Sequence, residues 1–170
     1  KDTLSLHDAL PIWTQAPSGA GYTLENRVVV ARSLPELYRD RPVRRLASFF
    51  ARMRETLARL SPRPSERPVI ALLTPGSHNE TYFEHTYLAR YLGLLLVEGE
   101  DLTVREGGVY LKTLGGLKRV DVILRRLDDA YCDPLQLRQD STLGVAGLLQ
   151  AVAEKQVALA NPVGTGLLDS

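Results

Sequence analysis

Apolar positions along this chain follow two patterns, and the switch between them sets the expected fold. From Tyr22 to Arg32 and from Val43 to Leu60 they recur at helical spacing. Leu24, Val28 and Ala31 form the first stripe. Leu46, Phe49, Phe50, Met53, Leu57 and Leu60 form the second, opposite Arg44, Arg45, Arg52, Arg54, Glu55 and Arg59. Leu34-Pro35 ends the first helix or starts a new turn. From Arg67 onward short continuous apolar runs take over: Val69 to Leu73, Leu94 to Val97, Val122 to Leu124 and Val157 to Ala160. Such runs, bounded by turn residues, read as strands covered on both faces. Tyr82, Phe83, Thr86, Tyr87, Arg90 and Tyr91 lie between the first two runs at helical spacing, with Asn79 placed to cap the helix start and Gly93 to close its end. Leu102 to Arg105 and Val109 to Lys112 flank Glu106-Gly107-Gly108, a hairpin signature, and Leu117 to Val120 adds an edge strand. A helix over Leu143 to Lys155, with Leu148, Leu149 and Val152 inward, precedes the last strand.

The order β-α-β-hairpin-β-α-β predicts an α/β fold. The expectation is a mostly parallel, Rossmann-like, three-layer sheet with a hairpin insertion, preceded by two helices. Residues 14–66 then form a loop and a helical segment, Ser61 to Ser65 a linker, and residues 67–170 the Rossmann-like domain. Lys1 to Trp13 fits neither pattern. Its SLHDALPI core resembles a translated sequencing adapter, so residues 1–13 are set aside as non-native; the other reading is a native loop.

Composition narrows the partners. The 170 residues can bury a core without staples. A formal net charge of +1 does not point to nucleic acid or an anionic membrane, and Arg39, Arg41, Arg44 and Arg45 read as a solvated helix entry. The single cysteine, Cys132, excludes an internal disulfide and a cysteine-rich metal site, and suits a reducing cytoplasm. No run approaches the roughly 20 apolar residues of a membrane span. The missing initiator Met and the lack of terminal punctuation after Ser170 suggest a fragment. The expected partner is a small molecule.

Candidate chemistry lies on the loops that follow the strands, because parallel strand ends converge on one edge. His78, Asn79, Glu98, Arg125, Arg126, Asp128 and Asn161 should share that rim. Adjacent Arg125 and Arg126 point to opposite sides of an extended chain, so at most one faces a given ligand. A guanidinium there can hold a carboxylate bidentately. The competing reading of Arg125 is a salt bridge to Asp128 or Asp129. His78, in a turn, is the better functional candidate; His85, within a helix, reads as packed or surface. Pro17-Ser18-Gly19-Ala20-Gly21 opens a helix and is an anion site in principle, though many such loops are plain turns. Cys132 lacks a basic neighbour in sequence that would activate it. No Walker loop, GxGxxG, GxSxG or metal-ligand spacing occurs, and no metal site is expected.

Several segments together resemble the circularly permuted type 2 ATP-grasp family. They are TQAPSGAGYTLENR at Thr14 to Arg27, LTPGSHNETYFEHTYLARYLG at Leu73 to Gly93, LVEGEDLTVREGGVYLKTLGG at Leu96 to Gly116, VDVILRRLDDAYCDPLQLRQDSTLGVAGLLQAV at Val120 to Val152, and VALANPVGTGLLDS at Val157 to Ser170. More distantly the arrangement is similar to glutathionylspermidine synthase and eukaryotic glutathione synthetase. The resemblance implies an ATP- and Mg2+-dependent carboxylate–amine ligase working through an acyl phosphate. It implies Ser18 and Arg126 as catalytic residues. Gly19, Tyr22, Asn26, Arg27, His78, Asn79, Arg125, Asn161 and Gly164 would bind a small carboxylate, amine or peptide substrate. Family members carry acidic residues just before the TQAPSG-like segment, where this chain has Leu10-Pro11-Ile12-Trp13; Asp8 is no substitute for them. The family's nucleotide-gripping lysines and glycine-rich segment have no match before Ser170. The expectation is therefore a substrate-side fragment that does not bind ATP and is inactive alone. The alternative is a stand-alone module that binds a small carboxylate or peptide without catalysis.

Overall fold

A computed structural model of the chain describes residues 16–63 and 67–165. Expectations on Lys1 to Trp13, Thr14, Gln15, Pro64, Ser65 and the stretch from Gly166 to Ser170 lie outside the described residues.

Four strands, β1 (Ile70–Leu73), β2 (Leu95–Val97), β6 (Val122–Arg125) and β7 (Ala158–Ala160), form a parallel sheet in the order β2-β1-β6-β7. A second, antiparallel sheet is made of β3 (Leu102–Arg105), β4 (Gly108–Thr113) and β5 (Gly116–Arg119). The fold is α/β. Alternation along the strands separates two cores. Ala71, Leu73 and Ile123 face one way, with Val109 of the hairpin and Leu148 and Ala151 of α5 (Leu148–Ala153). Ile70, Leu72, Val122 and Leu124 face the other way, against three helices: α1 (Ala20–Ser33), α3 (Ala47–Arg59) and α4 (Tyr82–Leu92). A short helix, α2 (Pro35–Arg39), starts at Pro35.

Four points correct or complete the sequence reading. On α4 the aromatic stripe is the outer face: Phe83 and Tyr91 are exposed, while Glu84, His85, Leu88, Ala89 and Leu92 are buried. Asn79 does not cap that helix. Thr81 is the N-cap residue, and the Asn79 side chain closes a local turn by accepting from the Thr81 amide at 2.9 Å. Helix α5 begins at Leu148, not Leu143. Gly144 instead packs against the Tyr131 and Cys132 carbonyls, and the Val145 amide donates to Cys132. The second stripe is also narrower than expected: Phe50 and Leu57 are buried, but Phe49 and Leu60 are exposed. Gly93 ends α4 at φ 66°, the left-handed conformation expected of it.

The sheet order fixes where a ligand can sit. After β1 the chain moves to β2 on one side, and β6 lies on the other, so the loops leaving β1 and β6 diverge. A crevice opens between their C-terminal ends, the usual ligand position in such sheets.

Candidate functional site

The crevice is a cleft of about 350 Å³ lined by Ala16, Ser18, Asn79, Glu80, Thr81, His85, Arg126 and Asp128. Its walls are the loop before α1, the turn after β1, the first turn of α4 and the loop after β6.

Arg126 continues the β6 alternation onto the α4 face. It is 6 % exposed. Its Nη1 donates to the Pro17 carbonyl, and its Nη2 lies 3.9 Å from Glu84, at ion-pair range but beyond a hydrogen bond. Its Nε has no hydrogen-bond partner among the described residues. Elsewhere in this molecule Arg63 and Arg138 use the Nε–Nη2 edge to grip Asp121 and Asp140. On Arg126 the Nε is shut off from solvent and the Nη2 faces Glu84, so no carboxylate grips that edge with hydrogen bonds. Burial pulls the guanidinium pKa down and Glu84 pulls it back up; an arginine stays charged. The cleft thus has a buried cation in its wall whose Nε lacks a hydrogen-bond partner among the described residues.

His85 fixes the polarity of the opposite wall. It is 2 % exposed, with Nδ1 2.9 Å from Thr74 Oγ1 and Nε2 3.1 Å from Thr81 Oγ1. Burial, and then the charge of Arg126, lower its pKa to about 4, so the ring is neutral near pH 7. The Thr81 hydroxyl donates to Asn79 Oδ1 at 2.6 Å and must accept from His85 Nε2–H. His85 Nδ1 then accepts from the Thr74 hydroxyl, which itself accepts the Gly76 amide at 3.2 Å. This one-way series commits Asn79 Oδ1 inward and leaves the Asn79 amide NH2 for the cleft.

Glu84 is fully buried. Its carboxylate accepts the Gly19 amide at 2.8 and 2.9 Å and the Gly21 amide at 2.8 Å. The small-residue loop does form an anion site at a helix start, but the anion is the chain's own carboxylate. Glu84 and His85 occupy the stripe that Leu88 and Leu92 continue, where a buried leucine would contribute about 1.5–3 kcal/mol. Glu84 was missed in the sequence, and His85 was read there only as packed or surface, not as part of a site. The signal was there: the period of Leu88 and Leu92, run back one turn, lands on them.

Of the sequence candidates, Ser18, Asn79 and Arg126 share the cleft, joined by Asp128 of the expected rim. The others are placed differently. Gly19 is the α1 N-cap residue at φ 106°, and its amide is given to Glu84, so it has no donor for a substrate. Tyr22 stacks on Phe83, with ring centroids 5.8 Å apart. Asn26 and Arg27 lie further along α1, outside the cleft lining. His78 is exposed and does not line the cleft; His85 does.

Arg125 is fully buried on the other face. It donates to the Asn161, Leu127 and Pro162 carbonyls and pairs with Asp129 at 2.6 Å. Asn161, at φ 60°, returns a 3.0 Å bond to the Arg125 carbonyl, and the Gly164 amide donates to Asp129 at 2.7 Å. These contacts tie β6 to the end of β7, on the face of the sheet away from the cleft. Cys132 is buried and its thiol is pushed up to about 11, which makes it inert.

The fold and cleft define an α/β domain with a polar crevice at its topological switch point. The chain belongs to the family described as circularly permuted ATP-grasp type 2, whose model matches residues 10–170. It is similar to "Uncharacterized protein Rv2567" of Mycobacterium tuberculosis, 46% identical over 158 residues, covering 93% of this chain and 18% of that protein. It is also similar to "Uncharacterized protein sll0335" of Synechocystis sp., 45% identical over 155 residues, covering 91% of this chain and 32% of that protein. The chain therefore spans less than a third of either relative. Among the described residues no helix is long and apolar enough to cross a membrane.

Proposed function

We propose that this chain is the substrate-side part of an ATP-dependent carboxylate–amine ligase, and that its cleft holds the carboxylate of one substrate. The observation that carries the reading is Arg126, a buried guanidinium at the switch point whose Nε has no partner. A carboxylate that draws this guanidinium toward the cleft gains charge-assisted bonds and fixes the orientation of the reacting group. Asn79 and Ser18 line the same cleft and offer further donors. Family membership supports ligase chemistry for the whole polypeptide.

ATP and Mg2+ are the family's reagents, and the residues described do not fit them. The α1 N-terminus, the natural phosphate cradle, is filled by Glu84. No group of three or more His, Cys, Asp or Glu side chains could hold a metal ion among the described residues.

The test is a titration of the 15N-labelled chain with acetate, propionate and succinate, and separately with ATP–Mg2+. Carboxylates should shift the Arg126 Nε–Hε and Asn79 side-chain signals, and Arg126→Lys should abolish the effect by losing the planar fork. The chain alone should not consume ATP when given an amine and a carboxylate. ATP turnover, or carboxylates that leave the cleft signals unmoved, would overturn the reading.

A further inference from the structure

The lining of the cleft carries more information than its cation. Glu80 and Asp128 both face it and are exposed, and neither side chain has an ion pair or hydrogen bond among the described residues. These carboxylates are not balanced by Arg126, whose nearest ion-pair partner is Glu84 behind the cleft. His85 is held neutral and adds no positive charge. The cleft therefore offers two kinds of group. Arg126 and the Asn79 amide NH2 are donors for an anion, and Glu80 and Asp128 are acceptors for a cation.

We propose that the ligand of this cleft is a small zwitterion of the α-amino acid type. Its carboxylate sits on Arg126 and Asn79, and its ammonium group on Asp128 and Glu80. The inference rests on the carboxylate-binding reading above and adds the second half of the ligand. An ammonium suits two carboxylates, because a divalent cation takes about six or more oxygen ligands. A volume of about 350 Å³ lies at the small end of ligand sites, which run from about 300 to 1,000 Å³. That size fits one amino acid better than an extended peptide. The Asn79 side chain is essential to the selectivity. Were its amide reversed, Oδ1 would repel the carboxylate, and the His85–Thr81 series prevents the reversal.

The experiment compares glycine, L-alanine and L-glutamate with their N-acetyl derivatives and their amides, by calorimetry and by 15N spectra of the 170-residue chain. N-acetylation removes the ammonium and amidation removes the carboxylate. The free amino acid that binds best should bind about tenfold or more tightly than either derivative. In the double variant Glu80→Gln, Asp128→Asn the preference for the free amino acid over its N-acetyl form should disappear. Both residues are exposed, so the variant should fold, and its spectrum checks this. N-acetyl forms that bind as well as free amino acids would overturn the zwitterion and leave the carboxylate reading standing. Amides that bind as well as free amino acids, or no binding by any compound, would overturn both.

Discussion

Acidification should destabilise this protein through His85, and the size of the effect follows from its surroundings. The ring is buried between Thr74 and Thr81, beside the Arg126 charge, and its pKa is lowered from 6.5 to about 4. The folded state therefore resists a proton that the unfolded chain accepts. The His85 contribution is fully present above the unfolded pKa and is lost as pH falls through the folded one. The full span is worth roughly 3 kcal/mol, at about 1.4 kcal/mol per pKa unit, and about 2 kcal/mol of it should be gone by about pH 5. Protonation also reverses a bond: Nδ1 becomes a donor facing the Thr74 hydroxyl, which must turn away. Urea unfolding of the chain and of His85→Gln at about pH 7 and pH 5 isolates the term. Glu84 borders the site in both proteins and drops out of the difference to first order. The stability gap between the two should shrink by about 2 kcal/mol over that interval. Parallel losses in both, or a His85 ring that titrates by NMR near 6.5, would refute the reasoning.

Other substitutions test the supports of the cleft. Glu84→Ala removes the acceptor of the Gly19 and Gly21 amides and leaves Arg126 a buried cation without its counter-charge, so about 3–5 kcal/mol should be lost in urea unfolding. Hydrogen exchange at Gly19 and Gly21 should accelerate in the same variant. Gly21→Ala should destabilise, although alanine normally gains up to about 1 kcal/mol over glycine inside a helix. A Cβ there would lie 2.7 Å from Glu84 Cγ and push the carboxylate off its amides; a variant as stable as the parent would show that Glu84 has room to move. Arg125→Lys should cost stability, because one ammonium cannot replace a guanidinium bonded to three carbonyls and Asp129, yet it should leave carboxylate binding in the cleft unchanged.

The strands were legible because a buried strand shows itself in composition alone: Ile70 to Leu73 and Val122 to Leu124 are apolar without interruption. The opposite directions of Arg125 and Arg126 were legible for the same reason, since a strand's period is two. The phase of α4 was not. Tyr82, Phe83, Tyr87 and Tyr91 repeat with the same period as Leu88 and Leu92, and a period does not say which of two apolar faces turns inward. The period alone therefore did not mark Glu84 as an inward residue. The fate of the small-residue loop was beyond local reading altogether, because the carboxylate that fills it lies 65 residues away.

That long-range bond changes what the loop is for. A glycine-rich helix start with free amides would be a site for a ligand's phosphate or carboxylate. Here Glu84 has taken those amides, and Arg126 holds the Pro17 carbonyl next to them. The loop is gripped from α4 by an anion and from β6 by a cation. Its backbone is thus a fixed wall and Ser18, exposed between the two grips, is the group it presents. One consequence separates this arrangement from a plain turn. Because Glu84 and Arg126 are coupled at 3.9 Å, a ligand carboxylate that draws Arg126 toward the cleft must weaken its hold on Glu84 or on Pro17. Binding in the cleft should therefore change hydrogen exchange at Gly19 and Gly21, although neither amide touches the ligand. Exchange there that stays constant while the Arg126 signal shifts would mean that the two grips act independently.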